Sequence, residues 1–216
     1  MRLIFIGPPG SGKGTQAKLF SQRLGLSHVS TGDILREAVD KDTPDGQRAK
    51  EYMTNGRLVP DEIVNDIVNA RFRGPHKPSK FILDGYPRTL AQALSLDAVL
   101  KKERLELDAV VFLNVGDDEI VRRLGNRWTC PNGTCKAVYH TVFKPPSVAG
   151  KCDVCGSELH QREDDKPATI RKRLQVYHDT HDELLEHYKK QGLIREVAGH
   201  GDIEAIYAAI MKVLGK

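Results

Sequence analysis

The sequence has no apolar run approaching the roughly 20 residues needed to cross a bilayer. Its longest, Ile206 to Met211, lies inside an amphipathic pattern, so the chain reads as a soluble protein. The apolar opening from Leu3 to Ile6 breaks off at Gly7-Pro8-Pro9-Gly10, too short for a signal-peptide core, which makes the cytoplasm the expected compartment. No internal repeat or low-complexity segment is present, which excludes collagen-like and disordered chains. Charge of one sign is scarce too. With 33 Lys and Arg against 29 Asp and Glu, the net charge is +4 and the pI near 8.8, just under the rough pI 9 footprint of nucleic-acid binders. Small phosphorylated ligands suit that excess better. Cysteine is limited to four residues, and in a reducing compartment grouped thiols suggest a metal before a disulfide.

What the chain does contain is an alternation. Leu3 to Ile6, Phe81 to Leu83 and Ala109 to Leu113 read as strands buried on both faces, with His28-Val29 and Leu193 to Val197 as weaker candidates. Between and around them, helical patterns span Gly14–Leu24, Thr31–Val39, Gly46–Thr54, Asp61–Arg71, Leu90–Lys102, Asp118–Arg127, Ala168–Lys190 and Ile203–Val213. Strands alternating with helices predict an α/β fold with a central parallel sheet. At 216 residues the chain is long enough for one domain carrying an insertion. Asp164 and Asp165 before Lys166-Pro167 read as the start of the long last-but-one helix. The interruption is the stretch between Arg127 and Arg162. It has no helical period, six glycines and prolines, and all four cysteines. A long irregular segment in a compact domain is usually functional or has structure of its own.

The clearest chemistry lies at Gly7-Pro8-Pro9-Gly10-Ser11-Gly12-Lys13-Gly14-Thr15, which follows a predicted strand and opens a predicted helix. Backbone N–H groups of such a loop converge on phosphate oxygens, and the helix N-terminus adds positive potential. Lys13 would bridge the β- and γ-phosphates. Gly14 stands between that lysine and the hydroxyl of Thr15, which leaves open whether Thr15 ligates Mg²⁺. A ligand-free glycine turn is the competing reading. Asp84 closes the Phe81-Ile82-Leu83 strand, at the strand end where α/β sheets bind ligands, and would hold Mg²⁺ directly or through water. Alternatively Asp84-Gly85 is a plain turn. No second acid follows it to activate water, which favours transfer to another acceptor over hydrolysis. An acceptor that is a phosphate monoester is already ionised and needs no general base, only cations at both ends. Arg36, Arg88, Arg123, Arg127, Arg162 and Arg173 flank loops and element ends, and Arg88, four residues after Asp84, is the best single candidate.

Cys130 and Cys135 form a C-x4-C pair, Cys152 and Cys155 a C-x2-C pair, with 16 residues between them. Two close pairs match a four-thiolate Zn²⁺ site, with free thiols or two disulfides as alternatives and His140 or Asp153 as substitutes for Cys135. The metal would be structural, replacing a core that so small an insertion cannot build.

These motifs, with Ser30 to Arg36, Gly56 to Asp61, Asp84 to Thr89 with Gln92, Arg123 to Arg127, and Gln161 to Asp165 with Arg171 to Arg173, occur in one order from end to end. In that order the sequence resembles the adenylate kinases of the type with a long, zinc-bearing lid. The resemblance implies a P-loop kinase fold, with core 1–127 and 162–216, a nucleoside monophosphate-binding segment 30–60 and an inserted lid 128–161. It implies reversible transfer of the ATP γ-phosphoryl group to AMP, giving two ADP, with Mg²⁺, in a monomer without nucleic-acid or membrane partners. Gly10, Ser11, Gly12, Lys13, Gly14, Thr15 and Arg127 would hold ATP, with Val138, Tyr139 and Gly201 near its base. Thr31, Arg36, Arg57, Leu58, Val59, Gly85, Tyr86, Pro87, Arg88 and Gln92 would surround AMP, Gln92 reading the adenine edge, with Arg162 and Arg173 also at that side. Lys13, Arg88, Arg123, Arg162 and Arg173 would serve the transfer. The family commonly has C-x2-C in the first pair and often an acid where Ala198 stands. Alternatives are a kinase for another nucleoside monophosphate and a zinc-ribbon ATPase acting on nucleic acid. The lid has Lys136, Lys144 and Lys151 against Asp153 and Glu158, and only Trp128, Tyr139 and Phe143 as aromatics, which argues against the latter.

Overall fold

The computed structural model describes residues 1–73 and 77–216. Five strands, β1 (Arg2–Ile6), β2 (Ser27–Ser30), β3 (Phe81–Asp84), β4 (Ala109–Asn114) and β7 (Ile194–Ala198), form one sheet in the order β2-β3-β1-β4-β7. Every pairing in it is parallel. The strands read as continuous apolar runs because both faces are covered. On β1, Ile4 and Ile6 join one core with Val29, Leu83, Tyr86 and Tyr188, while Leu3 and Phe5 join the other with Phe20, Val111 and Ile210.

The helices are α1 (Lys13–Leu24), α2 (Thr31–Asp40), α3 (Pro44–Thr54), α4 (Asp61–Phe72), α5 (Leu90–Lys102), α6 (Asp117–Gly125), α7 (Pro167–Lys190) and α8 (Ile203–Val213). Two helix boundaries differ from the sequence expectation by two residues, and several others by one. Helix α3 starts two residues earlier, because the Thr43 hydroxyl accepts from the Gly46 N–H and Pro44 occupies the first turn. Helix α6 stops at Gly125 and not at Arg127, which begins a strand; the Asn126 amide turns back onto the Arg122 carbonyl at 2.8 Å. Asp164 and Asp165 also do more than open α7: they sit in a 3₁₀ turn (Glu163–Asp165), and the Asp165 side chain is wholly buried.

The cysteine-bearing stretch holds an antiparallel pair, β5 (Arg127–Thr129) and β6 (Val138–His140), extended by a bridge from Thr129 to His160. Its buried cluster is only Cys130, Tyr139, Cys152 and Leu159. Among the described residues, no helix is long and apolar enough to cross a membrane.

Candidate active site

The C-terminal ends of β1 and β3 point at one cleft. After β1 the chain makes the glycine turn, in which Gly10 (φ +81°) has Leu124 of α6 where a side chain would begin, so a larger residue would displace α6. Lys13 Nζ donates to the carbonyls of Gly7 and Pro8 at 2.6 and 2.7 Å and to Ser11 Oγ at 3.3 Å. Burial lowers its pKa to about 7, against the attraction of Asp84. Asp84 Oδ2 lies under Gly14, where an added Cβ would come within 3.1 Å of it, and 3.4 Å from His28 Nε2, a neighbour that sequence reasoning missed. Thr15 is exposed on α1.

The arginines gather around Lys13. Arg88, Arg127 and Arg173 all bear on its charge, and Arg36 and Arg127 on that of Arg162. Burial, followed by repulsion from Arg173, lowers Arg88 to about 10, although its side chain still opens to solvent in the cleft. Burial, followed by repulsion from Arg127, lowers Arg162 to about 9. Arg127 makes a bidentate pair with Asp165 at 2.7 and 2.5 Å, and Arg173 pairs with Asp164 at 2.9 Å and Asp165 at 3.4 Å. Arg88 and Arg162 have neutral partners instead: Arg88 Nε donates to the Gly85 carbonyl at 2.8 Å, and Arg162 Nε to Thr129 Oγ1 at 3.1 Å. Arg36 is paired with Asp33 at 2.6 Å. Burial raises the Asp33 pKa, but the charge and hydrogen bond of Arg36 outweigh it and hold the carboxyl at about 2.

Beside Arg88, Thr31 Oγ1 donates to the Gly85 carbonyl at 2.9 Å. Tyr86 and Pro87 are buried, the Tyr86 hydroxyl donating to Asn65 Oδ1 at 2.7 Å. Gln92 is 1% exposed, which rules out a solvated helix residue. Its Oε1 accepts from the Arg88 N–H at 2.7 Å and its Nε2 donates to Asp61 Oδ1 at 2.7 Å. Val59 is buried and Leu58 half-buried, whereas Arg57 turns outward, over the Tyr52 ring and onto Glu51 at 2.5 Å.

Arg123 binds Glu119 at 2.7 Å and the Gly199 carbonyl at 2.8 Å, and with Phe143, His200 and Gly201 it lines a hollow of about 370 Å³. Tyr139 is buried in the cysteine-bearing stretch, its hydroxyl between Cys152 Sγ and the Asp153 N–H, and Val138 is half-buried in the same strand. A larger hollow of about 560 Å³ between Met1, Asp108, Arg195 and Lys216 lies at the opposite end of the sheet, away from all of this chemistry.

The ligating atoms of Cys130, Cys135, Cys152 and Cys155 all lie within 4.8 Å of one another. His140 and Asp153 are not in the group: His140 Nδ1 accepts from the Val142 N–H, and Asp153 Oδ1 from the Ser147 N–H. Two contacts beyond sequence reasoning join this stretch to the body. Lys18 Nζ of α1 donates to the Lys136 carbonyl at 3.1 Å, and Lys136 Nζ reaches Glu37 of α2 at 3.2 Å.

The model of the family described as adenylate kinase matches residues 5–193. The adenylate kinase of Archaeoglobus fulgidus is 50% identical over 216 residues, covering 100% of this chain and 99% of that one. Those of Caldicellulosiruptor bescii (47% over 215 residues) and Methanothrix thermoacetophila (46% over 216 residues) align over the same shares. A match along the whole length, over a parallel sheet whose strand ends carry the P-loop and the arginines, means that this chain belongs to the adenylate kinase family.

Proposed function

We infer that the protein reversibly transfers the γ-phosphoryl group of ATP to AMP, giving two ADP. One observation carries the reading: Lys13, Arg88, Arg127, Arg162 and Arg173 share one cleft, where burial first and their mutual repulsion after it lower the pKa values of Lys13, Arg88, Arg162 and Arg173. Such a cleft is relieved by a polyanion, and two nucleotides meeting end to end supply one. Lys13 and the loop amides of residues 10–15 would cradle the donor phosphates. Arg88 would orient the acceptor phosphate, whose ionised oxygen attacks the γ-phosphorus in line without a base. Arg123, Arg162 and Arg173 would carry charge during transfer, and Arg127 would hold ATP.

Asp84 is a lone carboxylate; among the described residues, no second acid, histidine or cysteine joins it in a three-ligand group. That donor set fits Mg²⁺, which keeps several waters and takes its remaining oxygens from substrate phosphates. Bound there, Mg²⁺ would neutralise phosphate charge. Four thiols within one ligand sphere fit Zn²⁺ by donor chemistry, and Cys130, Cys135, Cys152 and Cys155 would hold it as a structural ion. Residues 128–161 would then close as a lid over the nucleotides, excluding water and favouring AMP over hydrolysis; the adenylate kinase lid is itself a standard example of such closure. Residues 30–60 would form the acceptor-binding segment, in a protein that acts as a monomer in the cytoplasm.

The test is a panel of AMP, GMP, CMP and UMP with ATP, followed by ADP formation, with zinc measured on the same sample. AMP is expected to lead by orders of magnitude. ADP formed equally from all four, or only when DNA or RNA is added, would overturn the reading.

A further inference from the structure

We propose that Asp61, which touches no phosphate group in the reading above, sets the base preference of the acceptor site by fixing which way the Gln92 amide points. It is a positioning residue, and the inference rests on Gln92 facing the acceptor base.

A side-chain amide presents a donor on one end and an acceptor on the other, and turning it through 180° exchanges the two. In most settings both orientations are accessible. Here the two partners of Gln92 cannot exchange roles. The Arg88 backbone N–H donates to Oε1 at 2.7 Å and can only donate; the Asp61 carboxylate accepts from Nε2 at 2.7 Å and, ionised, can only accept. A flipped amide would set donor against donor and acceptor against acceptor inside a site where Gln92 is 1% exposed. Asp61 is itself held: its other oxygen accepts from Thr89 Oγ1 at 2.9 Å, and Thr89 Oγ1 in turn accepts from the Gln92 N–H at 3.1 Å, as the N-cap of α5. The Tyr86 hydroxyl, whose single proton lies between Asn65 Oδ1 at 2.7 Å and the Gln92 carbonyl at 3.1 Å, packs against that backbone.

One lone pair on Oε1 and one hydrogen on Nε2 remain for a ligand. In this fixed order they complement a 6-aminopurine, whose exocyclic amine donates and whose N1 accepts. A 6-oxopurine has the reverse pattern, O6 accepting and N1–H donating, and would need the flipped amide. A site built around such hydrogen bonds discriminates far better than shape alone.

Asp61→Asn keeps the volume and removes one of the two constraints, because an asparagine amide can itself turn to offer either end, leaving only the Arg88 N–H to oppose the flipped amide. The experiment measures kcat/KM for AMP and for the 6-oxopurine monophosphates IMP and GMP, with ATP as donor, in wild type, Asp61→Asn and Asp61→Ala, with melting temperatures of all three. The AMP-to-IMP ratio is expected to fall roughly ten- to a hundredfold in both variants, through a rise for IMP and GMP as well as a loss for AMP. A lower melting temperature with all acceptors reduced alike, and the ratio unchanged, means that Asp61 only secures the start of α4, and overturns the proposal. Failure of the wild type to make ADP from ATP and AMP would instead sink the kinase reading itself.

Discussion

With Zn²⁺ held by the four thiols as proposed, its removal should unfold residues 128–161 and leave the body intact. The buried cluster of that stretch contains two of the thiols, Cys130 and Cys152, and otherwise only Tyr139 and Leu159. Burying those two side chains contributes about 3–6 kcal/mol, against about 10–16 kcal/mol for a structural four-ligand zinc site. A Zn²⁺ ion held there would therefore dominate the stability of the stretch. The two large cores against the parallel sheet contain no cysteine and have no reason to respond. Trp128, the sole tryptophan, lies in β5 and reports on the stretch without a label. On chelation its emission should shift to the red and calorimetry should show a separate low-temperature transition, while the far-UV signal of the helices and the main transition persist. Cys135→Ser should produce the same picture without chelator, because it removes one of the four ligands. A single cooperative collapse of the whole chain, or Trp128 emission indifferent to measured zinc loss, would refute the argument.

Arg88→Ala should lower kcat by roughly 10³ to 10⁵, the range for an arginine that neutralises phosphoryl transfer; near-normal ADP formation would remove it from the acceptor site. Lys13, held at about 7 by burial, is mostly neutral above that pH in the free protein, whereas bound polyphosphate favours its charged form. Binding therefore takes up a proton, and ATP affinity should weaken by up to roughly tenfold per pH unit between about 7.5 and 8.5; calorimetric titration in buffers of different ionisation enthalpy checks this, and binding without proton uptake contradicts it. Arg162 is lowered to about 9 from its ordinary value, so its charge opposes folding of the empty protein at every pH below that. Arg162→Met should raise the melting temperature without nucleotide while reducing turnover, and a lower melting temperature for the empty variant would count against the reading.

The parallel sheet and the phosphate loop were legible in the sequence because their signals are local: apolar runs bounded by glycine, and a loop between a strand and a helix. The four thiols were legible because two short-range pairs announce a shared ligand. What escaped depends on contacts between distant positions. Gln92 and Asp61 are 31 residues apart, Arg127 and Asp165 38, His28 and Asp84 56, and Lys136 and Glu37 99. Nothing periodic links such pairs. Asp61 reads as an ordinary acid in the first turn of a helix, and its second role appears only when α4 packs beside α5. The early stop of α6 escaped for a related reason: the helical pattern continues past Asn126, and a side-chain amide turning back on the Arg122 carbonyl outweighs it.

The cations of the cleft divide by the charge of their partners. Arg127 and Arg173 are held by Asp165 and Asp164, so their charge is largely answered within the protein. Lys13, Arg88 and Arg162 are held only by carbonyl and hydroxyl oxygens. A neutral oxygen fixes the direction of an N–H without cancelling its charge. Burial first, and neighbouring cations after it, lower the pKa values of these three to about 7, 10 and 9; Arg173, although paired, is lowered as well, again chiefly by burial. The paired arginines thus give the cleft its shape, and the unpaired cations keep charge available for the ligand. Preorganisation of this kind costs the empty protein stability, and a phosphate chain returns it on binding. With Arg88 at the acceptor phosphate as proposed, transfer between two bound phosphates would be favoured over hydrolysis for an electrostatic reason: a water in the acceptor position carries no charge to answer Arg88.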